Sequence, residues 1–273
     1  MKEKISLAGD LGSGKSTVSN ILIERLGAEY YSTGAIVRSI AAKHGMSVVE
    51  LNVYMETHPE IDHEIDDGLK ALSDVDKLLI IDSRMAWHFT EGTFKVYLSA
   101  DPETSALRIM SANRVGEHSA TLEETIKETK ARRESEKKRY MTQYGVDIKD
   151  LTNYSLILDT SHATPEEVAE RLILSFEEWK RDKTMKAAYV TPERIYYPDD
   201  AADDELVNEL SVCLERGEKI PDVSLIEKDG EFYLDEGLES ALAYSFNMNT
   251  FIPARLVEGD IAGKKYTKMK NSL

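Results

Sequence analysis

The sequence predicts an α/β fold in which helices cover both faces of a parallel sheet, followed by a smaller α+β region. Three observations support this prediction. Residues 9–16 fit the pattern G-x-x-x-x-G-K-[ST] between a predicted strand and a predicted helix. Strands and helices then alternate, which is typical of a parallel sheet covered on both faces. After a helix predicted at residues 165–179, this alternation ends and a different pattern begins.

The first motif, which we call the phosphate loop (residues 9–16), assigns a physical task to each fixed residue. Its glycines let the backbone turn tightly and bring N–H groups close to phosphate oxygens. Lys15 supplies a positive charge to the β- and γ-phosphates, and the Ser16 hydroxyl is suited to hold Mg²⁺. The predicted ATP-binding residues are Gly9, Gly12, Ser13, Gly14, Lys15, Ser16 and Thr17.

The other elements of the first region follow from hydrophobic spacing and from start signals. Strands are predicted at residues 4–8, 28–31, 77–82, 94–98 and 154–158, and helices at 17–26, 34–43, 47–56, 59–72, 102–110, 121–144 and 165–179. Ligands of such sheets bind beyond the carboxyl ends of the strands. We therefore expect Gly9, Ser32 and Asp82, which each follow a strand, to converge there.

Composition excludes several classes of protein. The 273 residues are 41% hydrophobic, which is globular and enough for one large domain or two modest ones. A net charge of -16 argues against a nucleic-acid partner. Cys213 is the single cysteine, so an intrachain disulfide is excluded. No apolar run has the length of a membrane span, so we expect a cytoplasmic protein without a membrane partner.

Several segments beyond the phosphate loop carry a family resemblance. They lie at residues 32–38, 58–62, 84–87, 133–140, 144–148 and 150–154. Over about residues 3–175 the chain resembles the cytidylate kinases, particularly the archaeal-type and bacterial cytidylate kinase-like groups. The resemblance implies a P-loop kinase with three αβα layers, a monophosphate-binding insertion and a lid. It also implies transfer of the γ-phosphoryl group of ATP, with Mg²⁺, to CMP or dCMP.

The resemblance also implies roles for individual residues. Arg38 corresponds to an arginine for the acceptor phosphate, and Arg84 to one near the acceptor base and phosphate. Arg114 falls in the lid, and Arg132 or Arg133, with Arg139, in the segment after it. The position of Ser32 and Gly34 implies acceptor contacts. Arginine suits this chemistry because its planar fork binds phosphate bidentately and offsets the charge of the transition state.

Some of these residues have simpler interpretations. Arg132 lies four residues from Glu128 and from Glu136, which is typical of a solvated, salt-bridged helix. Asp82 suits Mg²⁺, but it could also end a strand or hold Arg84. Ser32 and Thr33 could cap a helix instead of contacting the acceptor. Asp62 and Asp66 share a helix face, and we predict them to be solvated charges.

Two departures from the family pattern concern the acceptor. Asp82-Ser83-Arg84 replaces the more usual Glu-Gly-Arg, and Ser155 stands where the family often has aspartate. Two alternatives to a cytidylate kinase therefore stay open. One is a kinase of another small acceptor. The other is a nucleotide-binding sensor with little turnover that acts through the C-terminal region.

Residues near 188 to 258 resemble ParB/sulfiredoxin-like domains. Nucleotide-binding versions of that family have histidine or arginine just after a glycine, whereas this chain has Leu238, Glu239 and Ser240. We therefore predict a degenerate module that binds a protein partner or a second copy of the chain. The predicted organisation is a kinase-like domain at 1–182, a small α+β domain at 187–260, and a loosely ordered tail at 261–273.

Overall fold

The computed structural model describes residues 3–111 and 121–268. Its first part contains five strands, β1 Lys4–Gly9, β2 Glu29–Ser32, β3 Leu79–Asp82, β4 Thr93–Ser99 and β5 Leu156–Asp159. The helices of this part are α1 Lys15–Leu26, α2 Thr33–Lys43, α3 Val48–Met55, α4 Pro59–Ala71, α5 Ala86–Phe89, α6 Pro102–Ser111, α7 Leu122–Tyr144 and α8 Pro165–Arg181. Each predicted strand and helix of this part is present, and the four-residue α5 is additional.

The second part adds six strands and two helices. The strands are β6 Ala187–Val190, β7 Ile195–Pro198, β8 Val223–Lys228, β9 Glu231–Glu236, β10 Ile252–Leu256 and β11 Tyr266–Lys268. The helices are α9 Asp204–Glu215 and α10 Leu238–Phe246. The sequence did not predict β6 and β7. It also predicted a loosely ordered tail at 261–273, which is wrong for residues 266–268, because β11 pairs there with β7.

Local sequence explains where the two long helices begin. Thr121 accepts a hydrogen bond from the amide of Glu124, whose side chain accepts one from the Thr121 amide, and α7 starts there. Thr164 and Glu167 form the same reciprocal cap at the start of α8, where Pro165 fills the first helical position. These caps satisfy amides that the helix itself leaves without partners. Thr164 and Pro165 thus mark the start of the helix predicted at residues 165–179, which is confirmed.

The sheet orders its strands β11-β7-β9-β8-β10-β6-β5-β4-β1-β3-β2. The six strands in the segment β6-β5-β4-β1-β3-β2 all pair in parallel, as predicted for the first region. Helices α1 and α8 pack on one face of β1, β3, β4 and β5. On the opposite face, buried side chains of α4 and α5 pack on β3 with partly buried tyrosines of α7. The predicted α/β class with helices on both faces is confirmed.

The sheet and the core continue across the predicted domain boundary. Strand β6 pairs in parallel with β5 and antiparallel with β10, so it joins the two parts. One buried cluster contains Tyr97 and Tyr154 from the first part together with Val190 and Ile252 from the second. The boundary at residues 183–186 is therefore a connection within one sheet. This continuity argues against two independently folding parts.

Candidate active site

The phosphate loop connects β1 to α1 and fits closely against its neighbours. A Cβ atom on Gly9 would lie 2.3 Å from the Leu98 carbonyl oxygen, and one on Gly12 would lie 2.4 Å from that of Ser105. Both glycines also have positive φ angles, +148° and +76°. These positions therefore exclude every other residue type, since any side chain would collide with backbone. The loop has the shape that its motif predicts.

Lys15 lies at the first position of α1, and its ammonium group is directed back over the loop. It donates hydrogen bonds to the carbonyl oxygens of Gly9 (3.2 Å) and Asp10 (2.9 Å). Burial and the neighbouring Arg84 guanidinium lower the pKa of Lys15 to about 8, although nearby carboxylates oppose the shift. Lys15 is therefore charged at neutral pH but loses its proton under mildly alkaline conditions.

A cleft of about 600 Å³, which we call the arginine cleft, opens on one side of the phosphate loop. The sequence-predicted site residues that line it are Gly12, Ser13, Gly14, Lys15, Ser16, Thr17, Ser32, Gly34, Arg38, Asp82, Arg84, Arg132 and Arg139. Gly9 does not line this cleft, but its carbonyl accepts a hydrogen bond from Arg84 (3.0 Å). Arg114 lies outside the described residues.

Glu136 holds two of these arginines in place. Its carboxylate lies 2.5 Å from Arg84 Nε and 3.2 Å from Arg132 Nε. Burial would raise the pKa of Glu136, but Arg84 and Arg132 together lower it, so the carboxylate stays charged. The sequence left open a solvated Arg132–Glu136 pair as the simpler interpretation, and the burial of Glu136 excludes it for this pair. Glu136 is buried because helix α7 packs against the arginine cleft. The spacing of residues along one helix cannot reveal such packing.

Arg139 is fixed by helices α3 and α4. Its guanidinium donates to Asn52 (3.2 Å) and lies 3.6 Å from the Asp62 carboxylate. Asp62 and Asp66 are buried, so the prediction that they are solvated charges is wrong. Gln143 donates to Asp62, and Tyr144 to Asp66, so these carboxylates hold α7 to α4.

The side chains of Arg132 and Arg133 have different surroundings, although the sequence did not distinguish them. Arg132 lines the arginine cleft, whereas Arg133 approaches Asp10 behind the phosphate loop at 3.6 Å. Asp10 also accepts hydrogen bonds from Tyr97 (2.8 Å), from the Ala100 amide (3.0 Å) and from Lys149. Burial would raise the pKa of Asp10, but Lys149 and Arg133 hold it well below its usual range. The sequence missed Asp10 because it occupies a variable position of the motif.

Ser32, Thr33 and Asp82 meet at the ends of β2 and β3. Ser32 accepts from the Ala35 amide (3.3 Å), which is the capping interpretation, and Thr33 donates to the Asp82 carbonyl (3.4 Å). The Asp82 carboxylate accepts from Tyr30 (3.0 Å) and shares the arginine cleft with the exposed Ser16. One hydroxyl and one carboxylate beside a phosphate site suit Mg²⁺, which takes few protein ligands and completes its shell with phosphate and water. Within residues 3–111 and 121–268, no group of three or more His, Cys, Asp or Glu side chains could hold a metal ion.

A second cleft of about 370 Å³, which we call the Arg108 cleft, opens on the other side of the loop. It is lined by loop residues together with Arg108, Thr160 and Ala163. Arg108 donates to the carbonyl oxygen (2.6 Å) and the hydroxyl (3.1 Å) of Thr160, so its guanidinium plane is fixed. The sequence missed this cleft, because it lies between α6 and the loop after β5, which are far apart in the chain.

Most of the first part of the chain is similar to known proteins. A model described as the cytidylate kinase-like family matches residues 4–162. A cytidylate kinase of Thermoplasma volcanium is 38% identical over 65% of this chain and 93% of its own length. An S-adenosylmethionine-dependent nucleotide dehydratase of Lacinutrix mariniflava is 35% identical over 65% of this chain but only 36% of its own.

One solved structure is similar to a smaller share of the chain. The crystal structure of a sulfiredoxin from Arabidopsis thaliana covers 27% of this chain and 85% of its own, at 21% identity and a TM-score of 0.25. None of the helices within the described residues is long and apolar enough to cross a membrane.

Proposed function

Because this chain belongs to the cytidylate kinase-like family and is a phosphotransferase, we propose that it transfers the γ-phosphoryl group of ATP to CMP or dCMP. The observation that carries this proposal is one phosphate loop with a cleft on each side. Four arginines, Arg38, Arg84, Arg132 and Arg139, line one cleft. A single arginine, Arg108, lines the other.

The distribution of charge supports a different substrate for each cleft. Phosphoryl transfer needs concentrated positive charge where the donor γ-phosphate meets the acceptor phosphate. The arginine cleft supplies this charge next to Lys15, so we assign the monophosphate acceptor to it. The Arg108 cleft has little charge and a fixed guanidinium plane, which suits stacking on a nucleobase. We therefore assign the adenosine of ATP to the Arg108 cleft.

In this assignment the chain's own residues act mainly by position and charge. The loop amides and Lys15 hold the β- and γ-phosphates, and Arg38 and Arg84 hold the acceptor phosphate in line with them. Ser16 and Asp82 would hold Mg²⁺, which neutralises charge between the β- and γ-oxygens when bound. The acceptor phosphate oxygen forms a bond to the γ-phosphorus, the bond to the ADP oxygen breaks, and Arg132 and Arg139 offset the equatorial charge. The products are ADP and CDP or dCDP.

A panel of nucleoside monophosphates, assayed with ATP and Mg²⁺, tests the acceptor. We expect CMP and dCMP to be phosphorylated with the highest kcat/KM. Turnover of a different small acceptor, with no activity on CMP or dCMP, would contradict the proposal. Stoichiometric ATP binding without turnover of any acceptor would instead indicate a nucleotide sensor.

A matched pair of variants tests the assignment of the arginine cleft. Arg38→Ala removes a charge-assisted phosphate contact, so we expect the acceptor KM to rise about ten- to a hundredfold while the KM for ATP changes little. Lys43→Ala removes an exposed charge from the same helix and serves as the control. Equal losses for ATP and acceptor in Arg38→Ala would show that the two clefts are wrongly assigned.

A further inference from the structure

Arg194 of the second part is among the largest fully buried side chains of the protein. It ends a short turn between β6 and β7, and its side chain is 1% exposed. Its guanidinium donates to the Glu231 carboxylate (2.8 Å) and to the Gly230 carbonyl (2.7 Å), and its Nε lies 3.4 Å from Asp159. Burying a charged group costs free energy unless it is fully paired. Arg194 is paired with a carboxylate from each part, Asp159 and Glu231, and so connects the two parts.

Asp159, at the end of β5, bridges the two parts through its two carboxylate oxygens. Oδ1 accepts hydrogen bonds from the amide (3.3 Å) and hydroxyl (2.7 Å) of Ser161, in the loop after β5. Oδ2 accepts from the amide and hydroxyl of Thr191, in the second part. Asp159 is completely buried, so these bonds and the Arg194 pair determine its position.

The loop that follows Asp159 forms a wall of the Arg108 cleft. Thr160 of this loop accepts two hydrogen bonds from Arg108, and the Ser161 carbonyl accepts a third (3.5 Å). The Ser161 hydroxyl accepts from the Asp101 amide at the start of α6. The orientation of Arg108 therefore depends on the position of the loop. That position depends in turn on Asp159.

The far end of the same loop has a second tie to the C-terminal part. Glu167, whose side chain caps α8 at Thr164, also accepts a hydrogen bond from the Thr250 hydroxyl (2.5 Å). Thr250 lies two residues before β10 and is half-buried. Residues 160–164 are thus held at one end through Asp159 by Arg194 and Thr191, and at the other end through Glu167 by Thr250.

We propose that the C-terminal part positions the loop at residues 160–164, which borders the Arg108 cleft. Arg194 and Thr250 are the positioning residues for ATP binding. This inference rests on the assignment of ATP to the Arg108 cleft. It gives the C-terminal part a task in the reaction although it contributes no residue to either cleft beside the phosphate loop. The C-terminal part acts on the donor site indirectly, through the carboxylates of Asp159 and Glu167 at the two ends of this loop.

The test measures ATP affinity directly, in the full-length protein with Mg²⁺ and without any acceptor. Arg194→Met should weaken ATP binding about tenfold or more, because it releases Asp159 and the loop. Arg194→Lys, which keeps the charge, should restore part of that loss. Thr250→Val should weaken ATP binding a few-fold. Arg255→Met removes an exposed arginine of β10 and should leave affinity unchanged.

Two further readouts separate positioning from general destabilisation. Acceptor KM should stay within about twofold of the wild type in Thr250→Val and Arg194→Lys, while the KM for ATP rises. Thermal unfolding should show that both variants are folded at the assay temperature. If Arg194→Met does not fold, Thr250→Val and Arg194→Lys decide the matter.

Unchanged ATP affinity in folded Thr250→Val and Arg194→Lys would overturn the proposal. So would equal losses for ATP and acceptor. Failure of the proposed reaction is distinguishable, because ATP binding is measured alone. A wild-type protein that binds ATP but does not phosphorylate CMP would sink the acceptor assignment and leave this inference standing.

Discussion

At the residue scale, the burial of Lys15 lowers its pKa and thereby makes nucleotide affinity depend on pH. The pKa of Lys15 is lowered to about 8 by burial and by Arg84, whereas a bound phosphate would stabilise the charged form. ATP binding above this pKa must therefore include uptake of a proton. Affinity should be flat below neutral pH and fall as pH rises through about 8.

We expect the dissociation constant of ATP to rise about tenfold between pH 7 and pH 9, since each pH unit above the pKa leaves tenfold less of the charged form. Equilibrium titration with Mg²⁺ and ATP at several pH values measures this. Lys15→Met should bind weakly at every pH and show no such slope. The same slope in Lys15→Met would mean that another group titrates.

Single residues also show what sequence can reveal about a site. The motif identified Lys15 and the loop glycines because fixed spacing encodes a local backbone shape. Glu136 and Arg108 were not identified, since their roles depend on partners from distant parts of the chain. Glu136 still left a signal, its position four residues after Arg132, but that signal is the same for a solvated pair and a buried one.

At the element scale, helix α7 presents different groups on its two faces. Arg132, Glu136 and Arg139 face the arginine cleft, while Arg133 faces Asp10 behind the phosphate loop. The sequence predicted the bounds of this helix well, because the signals that set them are local. Its packing on α4 was not predicted, because Asp62 and Asp66 look like surface charges until Arg139, Gln143 and Tyr144 are placed beside them.

Glu136→Gln tests whether the buried carboxylate of α7 orients the arginines. The substitution keeps the shape but removes the charge that Arg84 and Arg132 share, so their guanidinium groups lose a fixed position. We expect acceptor KM to rise about tenfold and stability to fall by about 3 kcal/mol, since a buried ion pair loses one charge. Steady-state kinetics and thermal unfolding measure the two effects.

The control for this variant is Glu134→Gln, an exposed change on the same helix. It should leave acceptor KM and stability close to those of the wild type. Unchanged acceptor KM in folded Glu136→Gln would mean that Arg84 is held by its contact with the Gly9 carbonyl alone.

At the scale of the whole molecule, the sheet continues where the sequence suggested a boundary. The sequence pattern changes near residue 183. The sheet changes at the same place, because β6 pairs in parallel with β5 but antiparallel with β10. Sequence could not show that β6 lies between β5 and β10. That pairing brings Ala188 beside both Ile157 and Ala254, which lie far apart in the chain.

This continuity leads to a prediction about a chain that ends at residue 183. Without β6, the edge of β5 would lose its partner, and an apolar edge strand promotes association. Tyr97, Trp87 and Tyr154 would lose the neighbours that bury them, including Val190 and Ile252. The ties of Asp159 to Thr191 and Arg194 would also be lost. We therefore expect the shortened chain to aggregate or to lose its cooperative unfolding transition.

A chain that ends at residue 260 serves as the control. It lacks β11, which pairs only with β7 at the outer edge of the sheet, and it keeps β6, β10 and Arg194. It should therefore unfold cooperatively and bind ATP. Size-exclusion chromatography, circular dichroism and thermal unfolding compare both shortened chains with the full chain.

A monomeric 1–183 chain with cooperative unfolding and wild-type ATP affinity would show that the first part folds independently of the second. It would also refute the role of the C-terminal part in the donor site, since Arg194 and Thr250 would then be dispensable.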